Sequence, residues 1–385
     1  LAAKKGRRQF LIAAGCMAQR YGQEIRRRVP EVDATIGTQS WPKIATLLSA
    51  LQERPGAGRR PDIVEWGGDV TASVTRRATT GASAYVKITD GCDAGCAFCA
   101  IPAIKGPQRS KPAADVLREV RELAAHSVRE IVLIGQDSTA YGRDRGERDG
   151  LPPLMRSIME AAPEVQWLRL MYAYPQHVSA PLIEVMAASS RVCHYLDLPL
   201  QHGHPDVLRR MRRPHDVDQV VRLADELRQA MPDIALRSTF IVGFPGETEQ
   251  EFEALLAFMR RLAFDKVGVF AYSREEGTPA ADYPEQVDEA TIAERYDRAM
   301  LCQQEISLQR NRAQIGRQLP ILVEGSGEGL VVGRSYREAP EVDGMVLLAG
   351  QAPIGEFLTC RIIGAQEYDL IAESAEPAQA PSGAS

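Results

Sequence analysis

The stretch Tyr85-Val-Lys-Ile-Thr-Asp-Gly-Cys-Asp-Ala-Gly-Cys-Ala-Phe-Cys-Ala-Ile-Pro102 runs from a short apolar strand straight into three cysteines. Cys92, Cys96 and Cys99 are separated by three and then two residues, on a loop relieved by Gly91 and Gly95. Iron–sulfur cubanes normally take four cysteines. Three thiolates at this spacing can each hold one iron and leave the last corner open to a small molecule. A structural zinc site wants four ligands, and no histidine or cysteine close by completes a set, since His126 lies far along the chain. The spacing therefore points to an iron–sulfur cluster rather than to zinc or to inert core thiols.

Outward from this loop the pattern alternates short apolar strands with longer amphipathic helices. Strands are expected at 84–89, 130–135, 166–171, 193–198, 234–242 and 265–271. Such repeats predict an α/β fold: an incomplete parallel (β/α)6 TIM-like barrel wound with right-handed crossovers. Active sites of parallel barrels lie at the C-terminal ends of the strands, where the cysteine loop falls. The same rim receives Gly135-Gln-Asp137, the run Leu196-Asp-Leu-Pro-Leu-Gln-His202 and the run Phe240-Ile-Val-Gly-Phe-Pro-Gly-Glu247. Gly243 and Gly246 would let backbone come close to a bound ring. Thr248 with Glu251 spells a capping box for the next helix, and a long helix is expected at 288–313.

The chain has 385 residues, enough for two or three domains. Its 44% hydrophobic and 25% charged residues are ordinary for a globular protein. No apolar stretch approaches the length that crosses a bilayer, and the run Phe10 to Ala14 is too brief for a signal-peptide core. Seven cysteines with three of them clustered do not form a disulfide framework. Reduced thiols beside an oxygen-sensitive cluster predict a cytoplasmic protein. The net charge of −5 argues against a surface that wraps nucleic acid throughout. Cys193 and Cys302 fall within a strand and a helix and are expected to be small core residues.

Lys87 to Pro112, Gly135-Gln-Asp-Ser138, Tyr195 to His202, Arg237 to Thr248 and Tyr272 to Thr278 together resemble the radical S-adenosylmethionine (SAM) methylthiotransferases. The likeness runs from about Phe10 to Ile371. It implies a partial flavodoxin-like N-terminal domain over 1–51, a linker over 52–81 and the radical SAM barrel over 82–311. A small C-terminal β-barrel, the TRAM domain, would follow over 312–374, with a disordered tail at 375–385. By position, Cys92, Cys96 and Cys99 would bind the SAM-cleaving 4Fe–4S cluster and Phe98 would lie beside the adenosine. Gly135, Gln136, Arg237, Gly243 and Gly246 would line the rim of the SAM pocket. Family members hold a second, auxiliary 4Fe–4S cluster on three N-terminal cysteines. Cys16 matches the third of these, the other two have no counterpart here, and the chain is expected to begin inside a domain. If the chain is the whole product, SAM cleavage without sulfur insertion is expected, because the auxiliary cluster supplies the sulfur.

The resemblance is closest to the branch that modifies ribosomal protein S-twelve, adding a methylthio group to an aspartate β-carbon, rather than to the branch acting on tRNA adenosine. The run Gly333 to Gly344 carries part of that likeness. Residues 312–374 hold five arginines against nine carboxylates, a net of −4, which suits a basic ribosomal protein better than phosphate. The resemblance further implies a monomer without a membrane partner, reduced by a flavodoxin or ferredoxin. Asp137, Gln201 and His202 are expected either to position ligand or to support those that do. The basic run Arg209 to Arg213 is expected to be a solvated helix end, with a contact to ribosomal RNA as the alternative.

Overall fold

A computed structural model describes residues 9–53, 62–63 and 81–375. Most of the expected linker and nearly all of the expected disordered tail lie outside the described residues. In the N-terminal unit β1 (Ile12–Gly15), α1 (Cys16–Arg28), β2 (Ala34–Gly37), α2 (Ile44–Glu53) and β3 (Asp62–Ile63) build a three-stranded parallel sheet in the order β1-β2-β3. Strand β3 falls inside the stretch read as a linker and corrects that reading: Asp62 and Ile63 pair with Thr35 and Ile36. Ala34, Ile36, Leu47 and Leu51 form this unit's buried core.

The central unit alternates as expected. Its elements are β4 (Ser83–Lys87), β5 (Thr89–Asp90), α3 (Ile101–Lys105), β6 (Arg109–Ser110), α4 (Ala113–Ala125), β7 (Glu130–Ile134), α5 (Leu151–Ala161), β8 (Trp167–Leu170) and α6 (Ala180–Ala188). They continue through β9 (Val192–Gln201), α7 (Pro205–Arg210), α8 (Val217–Ala230), β10 (Ala235–Val242), α9 (Glu249–Leu262), β11 (Lys266–Ala271) and α10 (Glu289–Arg312). Six strands run parallel in the order β4-β7-β8-β9-β10-β11, an unclosed barrel. Outward-facing side chains such as Ile131, Leu133, Leu168, Leu170, Leu236 and Phe240 are buried beneath the helices. Strand β9 runs past the expected end at 198 because a register shift between Ser238 and Phe240 absorbs Pro199, which has no N–H for the ladder. Thr248 and Glu251 do form the capping box that starts α9.

The C-terminal unit is a closed five-stranded barrel of β12 (Gln318–Gly327), β13 (Leu330–Arg334), β14 (Val346–Ala349), β15 (Phe357–Ala365) and β16 (Leu370–Ser374), in the order β12-β13-β14-β16-β15. The chain between β13 and β14 enters the N-terminal mouth of the large barrel. There Glu130 is held between Arg169 at 2.7 Å and Arg334 at 2.5 Å. Burial opposes its charge, but the two guanidinium groups outweigh that and pull its carboxyl down to about 2. Arg337 pairs with Asp265 at 2.5 Å, Tyr195 donates to Asp343 at 2.7 Å, and Tyr85 donates to the Pro340 carbonyl at 3.0 Å. The small barrel thus closes one end of the large one and leaves the other for the cysteine loop. Among the described residues no helix is long and apolar enough to cross a membrane.

Candidate active site

Strand β4 delivers the chain to the C-terminal rim, and the ribbon of β5 with β6 pinches the cysteine loop at its base through Thr89–Ser110 and Asp90–Arg109. Gly91 takes φ +78°, and a Cβ there would overlap the Pro107 carbonyl, so the loop's entry needs glycine. The buried Asp90 stays ionised more readily than usual: burial works against it, but Lys87 at 3.1 Å and Lys105 at 2.6 Å prevail. Loop amides tie back at Cys92 to Gly106 (3.2 Å) and at Ala97 to the Met211 carbonyl (2.9 Å). Cys96 is buried, and Cys92 and Cys99 are half-buried.

The three sulfurs share one electrostatic neighbourhood. Burial pushes the Cys92 thiol up, and Cys96, Asp137 and Cys99 push it further; burial and Cys96 raise Cys99 likewise, against the pull of Arg213. Three thiols gathered on one fixed loop are a donor set that a cationic metal would turn into thiolate ligands. These residues fit an iron–sulfur cluster. Among the described residues, the one group of His, Cys, Asp or Glu gathered tightly enough for a single ion is His204, Asp206 and Glu251, and Arg210 already holds Glu251 at 2.9 Å.

A cavity of roughly 380 Å³ opens beside Cys92, lined among others by Gln108, Asp137, Arg143, Tyr174 and His177. Asp137 accepts from the Ala140 amide at 3.1 Å and meets His177 Nδ1 at 2.7 Å. Gly135 lies against Thr89, whose Oγ1 a Cβ would strike, and the neighbouring Gln136 has its Oε1 buried without a hydrogen-bond partner. Phe98 packs beside Ala97, Phe244 and Tyr272. Tyr172 and Gln201, at the ends of β8 and β9, hold φ of +60° and +77°, strain of the kind that collects at functional rims.

Of the other expectations, those for Arg237 and for the Arg209 to Arg213 run need correction. Arg237 is not on the rim: it is the third residue of β10, with Asp197 at 2.9 Å and Asp343 at 3.4 Å. Gly243 takes φ +74° with Ile292 packed where its Cβ would be, and Gly246 takes φ +73°, so both are required by the turn itself. His202 is fully buried 3.3 Å from Glu247, and burial lowers its pKa. Cys16 is exposed at the start of α1, a helix that docks to the barrel through Arg20 and Glu275. Cys193, Cys302 and Cys360 are buried as core thiols. Arg213, within the run expected to be solvated, instead reaches the Cys96 sulfur at 3.8 Å.

Residues 86–259 match the Radical SAM superfamily and residues 315–374 match the TRAM domain. The ribosomal protein uS12 methylthiotransferase RimO of Roseiflexus sp. (strain RS-1) is 48% identical, over 98% of this chain and 84% of its own length. The chain belongs to the RimO family of methylthiotransferases. The RimO of Chloroflexus aurantiacus is 47% identical over 97% of this chain and 86% of its own. Membership in the RimO family makes the protein a radical SAM transferase whose cofactors are 4Fe–4S clusters and SAM. A radical SAM methyltransferase of known structure, TsrM from Kitasatospora setae, shares the fold with a TM-score of 0.55 at 16% identity, over 86% of this chain and 63% of its own. The incomplete barrel with an appended closed five-stranded barrel is what a RimO-family chain with both matched regions requires.

Proposed function

We propose that this protein adds a methylthio group to the β-carbon of an aspartate in ribosomal protein uS12, with Cys92, Cys96 and Cys99 holding the cluster that activates SAM. The observation that carries the reading is the three-cysteine loop, pinched by its own ribbon at the rim where a parallel barrel keeps its chemistry. When bound, the cluster passes one electron to SAM and so supplies methionine and a 5′-deoxyadenosyl radical. Gly91 and the β5–β6 ribbon hold the loop's shape, and Phe98 presents an apolar face for the adenosine. Gln136 offers its unpartnered oxygen to the same space. Cys16, exposed on a helix that packs at the rim side, is assigned to the auxiliary cluster.

A protein rather than tRNA as substrate is supported by charge on the accessible surface of the small barrel. Arg334 and Arg337 are buried in the interface, as are the side chains of Glu338 and Asp343. Three arginines then face seven carboxylates on the accessible part of 312–374, again a net of −4. Such a face repels phosphate and complements a basic ribosomal protein. We further assign the protein to the cytoplasm as a monomer reduced by a flavodoxin or ferredoxin, in keeping with its buried free thiols.

The test is anaerobic incubation with SAM, dithionite and uS12 deuterated at its aspartate β-carbons, with deuterated bulk tRNA as the parallel arm. Deuterium should pass from uS12 into 5′-deoxyadenosine. Transfer from tRNA adenosine instead would reverse the substrate assignment, and the absence of any 5′-deoxyadenosine would remove the chemistry altogether.

A further inference from the structure

Arg213 stands at the cysteine loop without a part in the chemistry above. Its position is built rather than incidental. After α7, Met211 is fully buried, and its carbonyl takes the Ala97 amide at 2.9 Å, tying this turn to the loop. Arg212 then adopts φ +56°, a conformation that residues with a Cβ rarely take, and the Arg213 amide returns to the Leu208 carbonyl at 2.8 Å. The reversal swings the guanidinium over the loop. There Nη1 donates to Cys96 Sγ at 3.8 Å, Nη2 donates to the Pro199 carbonyl, and the group lies 4.5 Å above the Tyr174 ring. Of the neighbouring cations, Lys87 and Lys105 are committed to Asp90 and Arg210 to Glu251, while Arg143 is exposed on the cavity wall beside Cys92.

Resting on the three-cysteine reading, we propose that Arg213 is a positioning residue that raises the reduction potential of the cluster held by Cys92, Cys96 and Cys99. Adding an electron makes such a cluster more negative, so a fixed cation that also donates to a ligand sulfur favours the reduced state. Arginine suits the place because it never loses its proton and its flat fork stacks on an aromatic ring. Lysine would supply the charge without the stacked geometry.

The full chain, reconstituted anaerobically, is titrated with dithionite while the reduced cluster is followed by electron paramagnetic resonance, for wild type, Arg213→Gln and Tyr174→Leu. Arg213→Gln should keep the wild-type iron and sulfide content. At the wild-type midpoint its ratio of reduced to oxidised cluster should fall about tenfold, a shift of about 59 mV for one electron. Tyr174→Leu should shift the same way by less. Midpoints that coincide with wild type would overturn the proposal, and if Arg213→Gln fails to assemble a cluster, Tyr174→Leu decides by the same criterion. A midpoint that moves only when SAM is present would assign Arg213 to the SAM carboxylate, which also overturns it. Wild-type protein without iron would sink the cluster reading itself, a separate failure.

Discussion

At Gly91 the backbone turns with φ +78° beneath the Pro107 carbonyl, and everything in the cysteine loop follows from that entry. Gly91→Ala places a Cβ against that carbonyl and forces a left-handed conformation, costing on the order of 1–3 kcal/mol. The strain is local to the loop, so the variant should lose most of its iron after reconstitution while far-ultraviolet circular dichroism stays near wild type. The cysteine spacing and both loop glycines were legible because they are contiguous in sequence. Arg213 was not, because its meaning depends on Arg212 adopting a left-handed backbone and on Tyr174 arriving from the loop after β8. Arg237 misled for the opposite reason. It sits in a recognisable run, but the run spans a whole strand, and its third residue lies far from the rim.

Between elements, the decisive contact is the insertion of the β13–β14 segment into the N-terminal mouth of the large barrel. Glu130 sits there between Arg169 and Arg334, all three out of water. Glu130→Ala leaves Arg169 buried without a carboxylate and Arg334 with Glu324 alone, and should destabilise the protein by about 3–5 kcal/mol, read as a lower urea midpoint. Its pH signature has a definite sign. The folded carboxyl sits at about 2 against its ordinary 4.5, so its stabilisation is complete above about pH 4.5 and is lost as pH falls toward 2. Urea midpoints should therefore hold steady down to about pH 5 and then decline, and Glu130→Gln should flatten that decline. Arg169 alternates along β8 with the core residues Leu168 and Leu170. What sequence could not supply was the third member, Arg334, which lies 204 positions from Glu130 and belongs to another barrel. The six strands of the large barrel were readable as short apolar runs, except where the bulge around Pro199 carried β9 onward, whereas β3 was hidden in the expected linker.

Over the whole molecule, one closed end leaves one open. The small barrel blocks the N-terminal mouth with buried ion pairs, and the N-terminal unit approaches from the rim side through α1 Arg20 to Glu275 and, after β2, Gln39 to Lys105. Substrate therefore reaches the loop from the open end, while the small barrel at the other end offers a large partner an acidic surface. Raising ionic strength should weaken uS12 binding, because opposite charges across a wet surface are screened within about 8–10 Å. Neutralising Glu324, Glu328 and Glu356, all exposed, should weaken it in the same direction, as read by equilibrium binding. The account as a whole rests on Cys92, Cys96 and Cys99 binding a cluster together, and the most direct test is iron and acid-labile sulfide per chain after anaerobic reconstitution of wild type and Cys96→Ala. The wild-type chain should carry a full cubane's complement of both, and Cys96→Ala should lose it while remaining folded. Equal iron in the two proteins, or a folded wild type that takes up zinc and no sulfide, would contradict it.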